Sequence, residues 1–378
     1  MKIKQKILFA VIKIAKGVMS LIYAAMKLLP VKEGNILFIS RQSNELTLDF
    51  KMLREEINHM DRGVNIMIIC CRLDDSKKGV LRFVLETMRS MYYLATCRVC
   101  VLDAYWPAVS MLHHKKELTV IQMWHALGKI KQSGYQTLDR KSGRSEFMAE
   151  ALSMHRNYDY VIAGGSAWNE YYCKSFDIDS DRILNIGLPR IDYLICSEED
   201  NKRRIYEKYP EFVTKPVILY APTFRRNGTG SAEKLISMLL DNNVYSVVVK
   251  SHPNQPLNFS DDNVFFCPEF SSMEMLSVSE YVITDYSAIA IEAAILDKKT
   301  LYYLYDYEEY VANNGLNVDP MESMRGCAFK DAESIVKIIN EGSYNMDVLE
   351  KYRKKYLPDE LGTSTKKLAE CVLKFAGR

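Results

Sequence analysis

From residue 35 onward, short and nearly continuous apolar runs alternate with stretches in which apolar residues recur every three or four positions. The runs at 36–40, 64–71, 98–103, 118–124, 160–163 and 183–186 predict one series of buried strands. Helical periodicity fills several gaps between them, as at 79–95 and 147–155. A second series follows at 217–221, 245–250, 264–267, 281–284 and 300–305. Buried strands alternating with helices predict α/β domains with doubly wound parallel sheets. The segment 196–209, rich in charge and helix formers, is the best linker between the two series. Residues 331–376 read as helical, broken at Pro358 and Gly362. The expected organisation is therefore a domain over 31–195, a second over 196–345 and C-terminal helices over 346–378, with no internal repeat.

The first thirty residues carry a different pattern. At about 100° per residue, Lys2, Lys6, Lys13, Lys16, Ser20 and Lys27 fall on one narrow stripe, with Lys4 off it. Ile3, Ile7, Val11, Ile14, Val18, Leu21, Ile22 and Met26 cover much of the remainder. A basic stripe opposite a broad apolar face predicts an amphipathic helix lying in a membrane interface. Each lysine near anionic lipid contributes about 1 kcal/mol. Lys13 and Lys16 interrupt the roughly 20 apolar residues that a spanning helix requires, and they leave too short an apolar core for a signal peptide. A helix packed on the protein's own core stays open as an alternative. Pro30 ends the segment.

Composition narrows the function classes. The 378 residues suffice for two domains with cores of their own. A net charge of +2 gives no overall basic bias toward nucleic acid. The nine cysteines are odd in number and irregularly spaced, mostly within apolar runs, which predicts reduced core thiols rather than disulfides. Cys97 and Cys100 form a single C-x-x-C with no second pair at zinc-site spacing. The G-x-G-x-x-G fingerprint is missing from both first turns, which argues against a nicotinamide or flavin dehydrogenase.

Candidate chemistry gathers after strands, where ligands bind in doubly wound sheets. His125 follows the run at 118–124, with Lys129 and Lys131 close behind to hold an anionic substrate; a structural histidine capping a turn is the alternative. Lys250, Ser251 and His252 end another strand, and Pro253 restricts the backbone that precedes it. Asp285 and Ser287 lie in a strand–turn–helix segment whose free N–H groups suit phosphate, or simply cap the helix. Arg225 follows a strand and can clamp phosphate in two-pronged fashion, or be solvated. The adjacent acids Asp74-Asp75 and Asp261-Asp262 read as solvated loop residues, so neither metal nor cofactor is expected. Together these groups suggest a nucleotide-diphosphate transferase.

At these motifs the chain resembles the CDP-glycerol glycerophosphotransferase family of teichoic acid synthesis. The resemblance runs from about residue 99 to 362 and rests on QMWHALGKIKQSGY (122–135), GLPRIDYL (187–194), YAPTFR (220–225), His252-Pro253, ITDYSAIAIEAAIL (283–296), YEEY (307–310), GLNVD (315–319) and ELGTS (360–364), in matching order and spacing. It implies two facing Rossmann-like domains of the GT-B type and a peripheral position at the cytoplasmic face of the cell membrane. It implies His125 as general base on the acceptor side, His252 at the donor phosphates, Asp285 and Ser287 in the donor turn, and Arg225 in the Y-A-P-T-x-R stretch. The implied partners are CDP-glycerol or CDP-ribitol, a lipid-linked saccharide acceptor and an anionic membrane surface, with CMP released. Ala126, Gly128, Ala288 and Glu292 depart from the commoner family residues and leave the donor's identity open. The absence of an extra N-terminal region favours a short, primase-like member. A GT-B glycosyltransferase using a nucleotide sugar and a non-catalytic membrane assembly subunit are the rival readings.

Overall fold

The computed structural model describes residues 3–74, 76–223, 230–241, 243–251, 259, 261 and 263–378. It divides into two compact units. The first comprises Met1–Ala126, Gln132–Arg190 and Thr363–Arg378; the second comprises Leu127–Lys131 and Ile191–Gly362.

The first unit opens with the helix α1 (Ile3–Met26) and then builds a six-stranded sheet. Its strands are β1 (Asn35–Ser40), β2 (Asn65–Cys70), β3 (Val99–Leu102), β4 (Thr119–Gln122), β5 (Tyr160–Ala163) and β6 (Ile183–Asn185). They pair in the order β2-β1-β3-β4-β5-β6, and every pairing is parallel. Helices α2 (Leu48–Met60) and α3 (Lys77–Thr96) carry the first two crossovers. Parallel strands covered on both faces must be apolar throughout, and β3 accordingly has all four residues buried. The C-terminal helix Ser364–Phe375 returns to this unit and packs against α2.

The second unit repeats the plan with β7 (Val217–Tyr220), β8 (Ser246–Val249), β9 (Val264–Phe265), β10 (Ser279–Thr284), β11 (Lys299–Tyr303) and β12 (Ala328–Phe329). The order is β12-β11-β10-β7-β8-β9, again parallel throughout. In each sheet the chain first winds one way and then returns to the far side of its first strand, so a topological switch point lies between β1 and β3 and another between β7 and β10. The expected linker at 196–209 is instead mostly the helix Glu198–Lys208, held to its unit by the fully buried Ile205. All nine cysteines are free thiols; five are buried, and Cys196 is exposed.

Candidate active site

His125 stands three residues beyond β4 and reaches the switch point of the first unit. The backbone turns sharply before it: Trp124 takes φ 61°, and its N–H donates to Gln122 Oε1 at 2.8 Å. The imidazole lies against the Trp124 ring at 4.2 Å. Its Nδ1 lies 3.0 Å from the backbone carbonyl of Asp103 and 3.2 Å from Gln42 Nε2. A carbonyl only accepts and an amide nitrogen only donates, so the two contacts call for opposite tautomers; the shorter one, to the carbonyl, favours the proton on Nδ1. That tautomer suits a general base acting through Nε2.

Around His125 lies a cavity of about 210 Å³, lined by Gln42, Thr47, Asp49, Asp103, Trp124 and Arg190 besides the histidine itself. Asp103 directly follows β3. Its carboxylate accepts Ser40 Oγ at 2.6 Å and the Arg41 N–H at 3.2 Å, both from the end of β1. Burial outweighs these bonds and pushes the Asp103 carboxyl up to about 6. Arg190 is the second residue of the helix Pro189–Cys196, after a turn in which Gly187 takes φ 75°. It meets the buried Asp49 of α2 through its backbone N–H at 2.9 Å and its Nε at 3.0 Å. A guanidinium and a carboxylate joined in this way fix one corner of the cavity. Asp103, Asp49 and Gln42 were not singled out from the sequence. Asp103 could have been, because it ends a predicted strand. Asp49 and Arg190 are 141 positions apart, and no local pattern connects them. A larger cavity of about 370 Å³ lies beside Asp159 and Arg182, which precede β5 and β6, and so sits away from the strand ends where this fold places its ligands.

In the second unit Asp285 directly follows β10 and is buried. Its carboxylate accepts both the Thr223 N–H, at 2.9 Å to Oδ2, and the Thr223 hydroxyl at 2.9 Å. Thr284 Oγ1 also donates to the Ala221 carbonyl at 2.7 Å. Asp285 therefore braces the Y-A-P-T turn against the D-Y-S turn. Ser287 is half-buried, with its Oγ 3.4 Å from the Ile289 N–H. Tyr286 stacks on Tyr310 at 3.7 Å, and Tyr307 donates to Asp319 Oδ2 at 2.5 Å, which ties the D-Y-S, Y-E-E-Y and G-L-N-V-D motifs together.

The expected lysines behave differently from the sequence reading. Lys250 directs its ammonium at the carbonyls of Phe266, Cys267 and Phe270, at 2.5–2.7 Å. An ammonium has three donors, so these carbonyls occupy all of them, and Lys250 braces the loop after β9 instead of meeting phosphate. Ser251 follows it, half-buried. Lys129 is buried, and desolvation holds its pKa well below the usual lysine range. That burial removes its ammonium from the surface an acceptor would reach. Lys131 is half-buried and pairs antiparallel with Leu316. Asn317 Nδ2 donates to the Lys129 carbonyl at 2.9 Å and the Lys131 carbonyl at 3.2 Å, which attaches the segment Leu127–Lys131 to the second unit. Gly134, just beyond it, takes φ 59°, and a Cβ there would lie 2.1 Å from the Ser175 carbonyl, so only glycine fits. Arg225 and His252 lie outside the described residues, as do Asp75 and Asp262. Among the described residues no three His, Cys, Asp or Glu side chains are grouped to hold a metal ion.

Comparison with known proteins extends this picture. The family described as CDP-glycerol:poly(glycerophosphate) glycerophosphotransferase matches residues 21–374. The teichoic acid ribitol-phosphate primase of Bacillus spizizenii is 29% identical over 380 residues, covering 96% of this chain and 97% of that protein. The teichoic acid glycerol-phosphate primase of Bacillus subtilis is 29% identical over 265 residues, or 68% of each chain. A solved structure of the wall teichoic acid polymerase TagF superposes with a TM-score of 0.72, covering 100% of this chain and 98% of that one, at 19% identity. The fold is accordingly the two-domain GT-B type. With a match across nearly the whole length, the chain belongs to the CDP-glycerol:poly(glycerophosphate) glycerophosphotransferase family.

Proposed function

We propose that this enzyme transfers glycerol phosphate or ribitol phosphate from a CDP-polyol to a hydroxyl of a lipid-linked saccharide, in teichoic acid or related wall-polymer synthesis. The acceptor oxygen attacks the polyol-linked phosphorus. The new P–O bond replaces the bond to CMP, which leaves, and the hydroxyl proton passes to His125 Nε2. The observation that carries this reading is the place of His125 in a cavity at the strand ends, with its Nδ1 3.0 Å from the Asp103 carbonyl. Little covalent chemistry is asked of the protein; positioning and charge stabilisation supply most of the rate, as in other phosphoryl transfers.

Donor phosphates fall to Ser287, Ser251, Arg225 and His252 in this account, with Asp285 positioning the turn through Thr223. Residues 8–26 of α1 form a helix long and apolar enough to cross a membrane, only 6% of it buried; with Lys13 and Lys16 inside that stretch, costly at the bilayer centre, we read it as lying at the cytoplasmic face of the membrane rather than spanning it.

Two measurements test these roles. His125→Ala should lower turnover by about 10²–10⁴-fold, the usual scale for a lost general base, while leaving CDP-polyol affinity intact; near-normal turnover would remove His125 from the mechanism. Ser287→Ala should weaken CDP-polyol binding by roughly tenfold, the size of one good hydrogen bond to a charged group. Calorimetry returning the wild-type affinity would dissociate Ser287 from the donor.

A further inference from the structure

We infer that α3 is a second membrane-contact helix, and that α1 and α3 together present one apolar face to an anionic lipid surface. The inference extends the membrane reading of α1 and rests on it.

The two helices pack against each other on the first unit. One side of α1 is committed to the protein. Phe9 packs on Phe147 with ring centroids 4.2 Å apart, and Tyr23 is buried with its hydroxyl 2.8 Å from His114 Nδ1. Lysines from the basic stripe lie on this same side: Lys16 Nζ donates to Ser153 Oγ at 2.9 Å, and Lys27 Nζ to the His113 carbonyl at 3.0 Å. The side left open is apolar, with Leu8, Val11, Ile14, Val18 and Leu21 between 48% and 76% exposed.

The outer side of α3 matches it. Val80, Leu81, Val84 and Leu85 recur at i, i+1, i+4 and i+5, and are 46–60% exposed. The inner side holds Thr87, Ser90, Met91, Leu94 and Ala95, all buried, and Ser90 Oγ accepts the Trp106 indole N–H at 2.9 Å. Apolar residues thus stand on both sides of the helix, whereas a surface helix of a soluble protein normally turns a polar face outward. A contiguous exposed apolar face of two helices marks an interaction surface.

Charge selects the occupant. Helix α3 carries four basic residues (Lys77, Lys78, Arg82 and Arg89) against the single acid Glu86, which is itself 3.4 Å from Arg89. Lys77, Lys78, Arg82 and Arg89 are exposed beside the aliphatic residues of α3. Anionic headgroups complement this arrangement. A second copy of the same face would bring like charges together.

The test uses the full chain and vesicles of phosphatidylglycerol with phosphatidylcholine. Leu81→Glu/Leu85→Glu should weaken vesicle binding at least tenfold with α1 untouched. Leu81→Lys/Leu85→Lys should weaken it too, because insertion is lost although positive charge is gained. Matching circular-dichroism melts establish that both variants fold, since the substituted residues point outward. A parallel Ile14→Glu/Val18→Glu variant reports on α1 alone. If only the α1 variant loses binding, α3 has no part in attachment and the reading of α1 stands. If no variant loses binding, the membrane reading fails with it. Tighter binding by the lysine variant would mean attraction without insertion. A wild-type dimer in sedimentation velocity, split by the α3 variants without loss of vesicle binding, would make the face an interface between copies.

Discussion

At the residue scale, the cavity around His125 sets two carboxylates in different circumstances. Asp49 is held by Arg190, whereas Asp103 has only a hydroxyl and an N–H for partners and a pKa raised by burial to about 6. A carboxyl whose pKa rises on folding binds its proton more tightly in the native state. Its stabilising contribution is therefore present at pH below about 4, the unfolded value, and is lost as pH rises through the folded value of about 6. Asp103→Asn keeps an acceptor for Ser40 and removes the charge. Its stability relative to the native chain should thus improve by about 2–3 kcal/mol between pH 4 and pH 8, the size of a two-unit shift, as read by urea unfolding. A difference independent of pH would show that Asp103 does not carry this shift. The place of His125 just beyond a strand was legible in the sequence, because the apolar run ends beside it. The surroundings of Lys129 and Lys250 were not. Sequence shows that a lysine follows a strand, but not whether its ammonium is buried or occupied by carbonyls 16–20 positions further along the chain.

At the element scale, the eleven strands expected from apolar runs all formed, with ends within about three residues of the prediction. The two-residue β12 (Ala328–Phe329) was missed, being too short to show any period. The helix breaks at Pro358 and Gly362 separate Met346–Tyr356 from Ser364–Phe375, as their backbone chemistry requires. The first thirty residues were harder, because one helix serves two surfaces. Periodicity located both the basic stripe and the apolar face, but could not say that Tyr23 and Phe9 would take the striped side into the protein. Residues 1–30 are consequently not a detachable anchor. Tyr23→Ala removes a ring that is 1% exposed together with its bond to His114. It should cost roughly 3 kcal/mol of local stability, as large-to-small core changes do, and so accelerate amide hydrogen exchange around residues 19–25 by about 10²-fold. Unchanged exchange there would mean that the helix is held by its other contacts.

At the scale of the whole molecule, each unit applies one device to a different end. In each, an aspartate directly after the strand beyond the switch point clamps the chain leaving the first strand: Asp103 holds Ser40 and Arg41, and Asp285 holds Thr223. No sequence repeat announces this correspondence, because only the carboxylate and its place in the winding are shared. In the first unit the clamp borders the cavity around His125; in the second it braces the turn that carries Ser287. Transfer of a polyol phosphate with release of CMP is tested by measuring CMP release from CDP-glycerol and from CDP-ribitol, with and without a lipid-linked disaccharide acceptor, in buffer containing EDTA. CMP release should depend on the acceptor, strongly prefer one of the two donors, and leave an acceptor made heavier by the corresponding polyol phosphate. An acceptor left unmodified by both CDP-polyols, but lengthened by a sugar from a nucleotide sugar, would contradict that transfer.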